Sequence, residues 1–293
     1  MFERILIATD LSSASDAILH CAGGFKRLGV EQVYLCHALG LRHLEVLKYE
    51  LLPKVEPKLA QQKQILENQG LETFIEIPSG IPSEEINRVA QEKNVSLIVI
   101  GSHGESMSRH LLFKFGGVAS EILHSHQRPL LLVRTRVLED QKGEICVEAS
   151  CADFGGHILY ATDFSDTAQR AFMYLEEIIR NGGDTVTLIH VQDVTKIKKY
   201  LEDKLEEFNR IDTERLEMLR SKLIEIGARN VKIKIPYGNP TTEILEELAR
   251  EDYSLIVMGS QGRGFIKEVF LGSVSHNIAR QAQISMLLVP AVR

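Results

Sequence analysis

The feature that most constrains this chain is that it repeats itself. Ile5-Leu-Ile-Ala-Thr-Asp10 recurs as Ile158-Leu-Tyr-Ala-Thr-Asp163, and His37-Ala38 recurs as His190-Val191, both at an offset of 153 residues. Gly80-Ile-Pro82 recurs as Gly238-Asn-Pro240, and Ser96-Leu-Ile-Val-Ile-Gly101-Ser-His-Gly104 as Ser254-Leu-Ile-Val-Met-Gly259-Ser-Gln-Gly262, both at 158. Leu131-Leu-Val133 recurs as Leu287-Leu-Val289 at 156. Landmarks in one order at nearly constant offset mean a duplicated domain. The 293 residues hold two copies, each long enough to bury its own core. We expect a first domain over 1–137, an acidic linker over 138–154 without sustained periodicity, and a second domain over 155–293.

Within each copy, short apolar runs alternate with longer segments of helical period, which predicts α/β architecture with a parallel sheet. In copy one the expected strands are Ile5–Thr9, Gln32–Ala38, Thr73–Pro78, Leu97–Ile100 and Leu130–Val133. Their near-continuous hydrophobicity suits strands covered on both faces. Ala14, Ala17, Ile18, Cys21, Ala22, Phe25 and Leu28 form a stripe that predicts one helix lying on the sheet, capped by Ser12 or Ser13. Asn239-Pro240 reads as a cap followed by proline at the first helical position. From Lys196 to Lys222 charged residues form a solvated face, with Ile197, Leu201, Leu205, Phe208, Leu216, Leu219 and Leu223 inward. Five strands and four helices make each copy one doubly wound unit.

In such a sheet ligands bind at the carboxyl ends of the strands, where strand order reverses. A dinucleotide fold carries its glycine fingerprint after the first strand, but Thr9-Asp10-Leu-Ser and Thr162-Asp163-Phe-Ser hold no glycine there. There is also no GxxxxGK[ST] stretch. The glycines instead follow the fourth strand. Copy two has Gly259-Ser-Gln-Gly262, nine residues, then Gly272-Ser273 opening the last helix. Glycines permit close backbone approach, so successive amides can line an anion nest. A helix N-terminus beyond them attracts phosphate, and a serine hydroxyl adds a donor.

On this Gly259, Gly262, Gly272 and Ser273 pattern, with Asp163 at the first strand end and His190-Val191 at the second, the chain resembles the universal stress protein family. The resemblance covers both copies and implies a five-stranded α/β fold like that of adenine nucleotide α-hydrolases. It places adenine against Ala161, Thr162, Asp163 and Val191. Met258, Gly259, Gln261 and Gly262 would surround the ribose and α-phosphate, and Gly272, Ser273, Val274 and Ser275 the outer phosphates. ATP or AMP is the implied ligand, with magnesium or manganese beside a triphosphate. The family also implies that the two copies pair as an intramolecular pseudo-dimer through their apolar fifth strands, which would protect those edges, with a further homodimer as an extension.

Copy one departs from the pattern. Gly101, His103 and Gly104 stand in place, but eleven residues precede Gly116, Gly117 replaces the serine, and Ala119 stands where copy two has Ser275. Its adenosine side, Ala8, Thr9, Asp10 and Ala38, is retained. We therefore expect copy one to hold adenosine or AMP, and copy two to favour ATP.

Each feature also has a structural reading. Asp10 and Asp163 can tie down a turn. His37 and His190 read as strand-end residues satisfied by backbone rather than catalysts. His103, His110, His124 and His126 share no helix face, which argues against a metal site. Cys21, Cys36, Cys146 and Cys151 lack zinc spacing and read as reduced thiols. The net charge of -6, most of it between Leu138 and Gly156, argues against nucleic acid. No apolar run reaches membrane-spanning length and the N-terminus shows no signal-peptide pattern, which predicts a cytoplasmic protein.

Three functions remain open at this point. One is a nucleotide-binding stress or signalling module whose surface for a protein partner depends on the bound nucleotide. The second is a slow ATPase or phosphotransfer enzyme, against which no base or nucleophile is assignable and Arg263 reads as a surface residue. The third is a nucleotide-free scaffold.

Overall fold

The computed structural model describes residues 1–40, 45–102, 116–139, 145–149, 153–193, 205–262 and 271–291. The chain forms two compact units, Met1–Asp153 and Phe154–Arg293. The first contains β1 (Arg4–Ala8), α1 (Ser13–Leu19), α2 (Ala22–Arg27), β2 (Gln32–Cys36), α3 (Glu45–Asn68), β3 (Glu72–Glu76), α4 (Pro82–Glu92) and β4 (Leu97–Gly101). It continues with α5 (Gly117–Ser125), β5 (Leu130–Val133), β6 (Thr135–Glu139) and β7 (Ile145–Ala149). Strands β1 to β5 pair in parallel in the order β3-β2-β1-β4-β5. The direction of winding reverses between β1 and β4, which opens a crevice at their carboxyl ends.

Leu97, Ile98, Val99 and Ile100 are all buried, as are all four residues of β5. Both faces of these central strands are therefore covered, α1 packing with α3 and α4 with α5. The stripe read as one helix is split. α1, capped by the Ser12 side chain on the Ser15 N–H, ends at His20, and α2 restarts after Cys21. His20 N–H bonds to Ala17 O and Cys21 N–H to Ile18 O, tighter i to i−3 closures that end the first helix just before Gly23-Gly24, two poor helix formers. The apolar stripe survives the break, with Ala14, Ile18, Cys21, Ala22 and Phe25 buried.

Two further findings concern the stretch after β5 and the cysteines. β6 and β7, within the segment read as lacking periodicity, pair antiparallel with Val137 opposite Val147, and β7 packs on α1. Cys21 is disulfide-bonded, which corrects the reading of reduced thiols at that position. Spacing cannot reveal a bond between cysteines distant in sequence. Cys36 is a free thiol at the buried end of β2, its pKa pushed up to about 12 by burial and by the nearby Glu76 carboxylate.

The second unit contains β8 (His157–Ala161), α6 (Asp166–Arg180), β9 (Thr185–Ile189), β10 (Gln192–Asp193), α7 (Leu205–Glu225) and β11 (Asn230–Lys234). β12 (Tyr237–Gly238), α8 (Pro240–Arg250), β13 (Leu255–Gly259), α9 (Ser273–Gln281) and β14 (Ser285–Val289) follow. Its sheet order is β11-β9-β8-β13-β14, all parallel, so the same reversal falls between β8 and β13. Tyr160 fills the core beneath α6, its hydroxyl donating to Ala168 O at 2.7 Å and its ring edge-on to Phe172. Asn239 caps α8 through Oδ1, which accepts from Thr241 N–H and Thr242 N–H ahead of Pro240 at the first turn. In α7, Leu216 and Leu223 are buried and Phe208 and Leu219 half-buried; Ile197 and Leu201 lie outside the described residues.

Candidate functional site

The second unit has a cavity of about 810 Å³ at the carboxyl ends of β8, β9 and β13, where the sheet reverses direction. Its size is that of a small-molecule site. Ala161, Thr162, Asp163, Val191, Met258, Gly259, Gln261, Gly262, Gly272, Ser273, Val274 and Ser275 all line it. Thus the strand ends and the glycine segment, nearly 100 residues apart in sequence, meet around one space.

The first wall is the turn from β8 into α6. Asp163 Oδ1 accepts from Ser165 N–H at 3.0 Å, Thr162 Oγ1 accepts from Phe164 N–H at 3.0 Å, and Ser165 caps α6 on Ala168 N–H. Phe164 sits at φ 59°, a left-handed conformation that a non-glycine residue adopts only when its surroundings hold it there. The equivalent Leu11 in the first unit has φ 63°. Both copies therefore keep the same strained turn at the mouth of the crevice.

The second wall comes from β9 and α7. His190 Nδ1 lies 2.8 Å from Thr162 O and must carry its hydrogen there, since a carbonyl can only accept. His37 makes the same contact to Thr9 O at 2.9 Å, so both histidines are strand-end residues fixed by backbone. His190 Nε2 faces Asp212 Oδ2 at 3.4 Å, and Gln192 Nε2 donates to the same oxygen at 3.1 Å. Arg215 lies 3.8 Å from Asp212 Oδ1 and 5.2 Å over the Phe164 ring, which in turn packs on His190. The cavity lining thus includes Gln192, Asp193, Ile211, Asp212, Arg215 and Asn277, none of them singled out by sequence reasoning, together with Phe208 and Asn239, which the sequence marked only as an inward helix residue and a helix cap.

The third wall is the glycine segment. A Cβ on Gly262 would stand 2.6 Å from Asp163 Oδ2, and one on Gly259 would stand 2.9 Å from the Thr167 Cβ and carbonyl carbon. Neither glycine has a positive φ, so space rather than backbone conformation requires them. Gly272 caps α9 without a side-chain hydrogen bond, and Gly272, Ser273, Val274 and Ser275 at the start of that helix all line the cavity. Ser275 is buried at 3% exposure and its hydroxyl shares its one hydrogen between Ser260 O at 2.7 Å and Gly272 O at 3.0 Å, the shorter contact being to Ser260. Since Gly272 N–H also donates to Ser260 O at 2.7 Å, that hydroxyl braces the closure of the loop onto the strand end. Of the two expected hydroxyl donors, Ser273 is the one not engaged in this brace.

The cavity is therefore divided. Toward β8, β9 and α7 it presents carboxylates Asp163, Asp193 and Asp212; toward β13 and α9 it presents glycine backbone, Ser273 and a helix N-terminus. The first half suits ligand groups that donate hydrogen bonds. The second suits an anion.

In the first unit Ala8, Thr9, Asp10 and Ala38 occupy the corresponding strand ends, and Gly101, Gly116 and Gly117 the corresponding loop ends. His103, Gly104 and His110 lie outside the described residues, as do Cys151 and Arg263. The surroundings differ. Asp10 Oδ1 accepts from Ser12 N–H, Ser12 Oγ and Ser15 Oγ, whereas Ala168 stands at the position of Ser15 in the second unit. Thr9 Oγ1 donates to buried Gln62, which donates onward to Asp16. His124 and His126 are separated in character: His124 is exposed, and His126 is buried at the end of α5. Among the described residues no group of acids, histidines and cysteines has metal-binding geometry, and no helix is long and apolar enough to cross a membrane.

This duplicated, doubly wound fold, with a glycine segment after the fourth strand facing an aspartate after the first, defines a class of small α/β domains in tandem. The universal stress protein family matches residues 1–134 and 156–290, and the chain belongs to that family twice over. A universal stress protein of Methanocaldococcus jannaschii is 32% identical over 151 residues, covering 45% of this chain and 93% of that protein. A universal stress protein of Mycolicibacterium smegmatis is 24% identical over 300 residues, 97% of this chain and 96% of its own length. The crystal structure of a universal stress protein from Archaeoglobus fulgidus superposes with a TM-score of 0.76 at 26% identity, covering 99% of this chain and 98% of that one.

Proposed function

We propose that the second unit binds an adenine nucleotide, ATP in preference to AMP, and that the protein is a stress or signalling module whose partner surface depends on the nucleotide held. The observation that carries this reading is the division of the 810 Å³ cavity into a carboxylate-lined half and a half made of glycine backbone and the α9 N-terminus. An adenine amine and ribose hydroxyls suit the first, and phosphates the second. Ala161, Thr162, Asp163 and Val191 would hold the base, Met258, Gly259, Gln261 and Gly262 the ribose and α-phosphate, and Gly272, Ser273 and Val274 the outer phosphates. The lack of a side chain at Gly262 lets the loop backbone lie close to Asp163, so that both reach the same cavity wall. Magnesium or manganese would accompany a triphosphate and offset its charge.

A ligand filling this space touches α7 and α9 at once, so occupancy ties two helices separated by the sheet edge to one molecule. Binding that differs between two arrangements of those helices shifts their populations, which is how a bound nucleotide changes an outer surface. Ala8, Thr9, Asp10 and Ala38 keep an adenosine-like corner in the first unit, where AMP is the better match. Mass spectrometry of small molecules carried through purification, followed by calorimetry with ATP, ADP and AMP on the full chain, tests the reading. A protein that carries none and binds none would overturn it.

A further inference from the structure

The loop that would carry the phosphates is anchored from an unexpected direction. Thr167, in the first turn of α6, donates its hydroxyl hydrogen to the backbone oxygen of Gln261. Its Oγ1 also lies 3.0 Å from Ser165 Oγ, and since the Thr167 hydrogen is engaged, Ser165 is the donor of that pair. A two-hydroxyl relay thus runs from the cap of α6 to the peptide joining Gln261 and Gly262. Thr167 is buried at 5% exposure and does not line the cavity, whereas Gln261 and Gly262 do.

A trans peptide is planar, with its C=O and N–H pointing in opposite directions, and there are no cis bonds among the described residues. Pulling the Gln261 oxygen toward α6 therefore turns the Gly262 N–H the other way, toward the cavity. Among the described residues that N–H has no hydrogen-bond partner. The Thr167 side chain also abuts Gly259, where an added Cβ would come within 2.7 Å of Oγ1, so the hydroxyl is pressed against both ends of the Gly259–Gly262 segment. At the offset of 153, the first unit has Ala14 in this place and no hydroxyl to do the same.

We propose that Thr167 is a positioning residue for anion binding: it fixes the peptide plane of Gln261–Gly262 so that the Gly262 N–H is a preset donor to a ligand phosphate. This rests on the nucleotide reading of the same cavity. A preset donor costs no reorientation on binding, and one hydrogen bond to a charged group is worth about tenfold in affinity.

The test uses full-length protein carrying Thr167→Ala or Thr167→Ser, titrated calorimetrically with ATP and with adenosine. Alanine at the equivalent position of the first unit shows that the fold accommodates the smaller side chain. Thr167→Ala is expected to weaken ATP about tenfold and adenosine less than twofold, while Thr167→Ser, which keeps the hydroxyl, stays within about threefold for both. In amide NMR, ATP should shift the Gly262 resonance strongly in the parent and in Thr167→Ser, and weakly in Thr167→Ala. Unchanged ATP affinity in Thr167→Ala, or equal losses of ATP and adenosine, would overturn the inference while leaving the nucleotide site standing. A parent protein that binds neither ligand would overturn both.

Discussion

His126 links the packing of the first unit to pH, and the size of the effect follows from its surroundings. It ends α5 at 1% exposure, with Nδ1 3.0 Å from Leu123 O and therefore protonated there. Nε2 is buried and has no hydrogen-bond partner among the described residues. Charging the ring would desolvate a cation in this buried place, so burial lowers the pKa from 6.5 to about 4. The folded state thus binds fewer protons than the unfolded chain between those values. Stability is fully present above pH 6.5 and is lost as pH falls toward 4. At about 1.4 kcal/mol for each tenfold change in proton affinity, the whole loss is about 3 kcal/mol, and about 2 kcal/mol of it has occurred by pH 5.

The perturbation is His126→Ala, which copies Ala282 at the same place after α9 in the second unit. It removes the proton-binding group, at the cost of packing and of the bond to Leu123 O that lower stability equally at every pH. Urea unfolding at pH 8, 6.5 and 5 gives the difference between parent and variant. That difference should shrink by about 2 kcal/mol from pH 8 to pH 5, because only the parent carries the penalty. A difference that stays constant across the range would show that His126 titrates normally in the folded protein and would refute the burial argument.

Three other outcomes follow from the second unit. Gly262→Val should abolish calorimetric binding of ATP, because its Cβ would meet Oδ2 of Asp163, whose carboxylate the Ser165 N–H holds through Oδ1; binding as before would mean the phosphates lie elsewhere. Ser273→Gly, which copies Gly117 of the first unit, should weaken ATP about tenfold and leave adenosine unchanged, since a hydroxyl donor to a charged phosphate is lost from the α9 N-terminus. Hydrolysis of ATP by the purified protein should be slow beside the ~10 s⁻¹ typical of enzymes, because His190, the titratable ring nearest the strand ends, is engaged by Thr162 O and Asp212; robust turnover lost on a single change in the cavity would place the protein among enzymes.

What could be seen in the sequence was whatever local order and the repeat make visible. Buried parallel strands show as Leu97–Ile100 and Leu255–Met258 because both faces are covered and no alternation is needed. Caps at Ser12 and Asn239 show because the acceptor lies within three residues of its donors. The α7 wall did not show. Asp212 and Arg215 reach the cavity only because the helix crosses above the end of β9, and their charges read in sequence as one more solvated face. The split between α1 and α2 was hidden because the apolar stripe runs unbroken across it.

The repeat itself holds a signal only partly used in reading the sequence, namely the positions where the two copies differ in hydroxyl content: the two serines of the last helix enter that reading, Thr167 does not. Setting Ala14 against Thr167, Gly117 against Ser273 and Ala119 against Ser275 leaves three hydroxyls present in the second unit alone. The structure gathers all three at one loop, yet in distinct tasks. Thr167 holds Gln261 O from the α6 side, Ser275 holds Ser260 O from the α9 side, and Ser273 lines the cavity between them. The two braces fix successive peptide planes, and the one on Gln261 O turns the Gly262 N–H away from α6. The first unit has Ala14 and Ala119 in place of the two bracing hydroxyls and still forms the same strand ends and the same strained turn. Duplication of one fold thus separates building the crevice, which needs no hydroxyl at these positions, from bracing the Ser260–Gln261 carbonyls, which rests on Thr167 and Ser275 of the second unit.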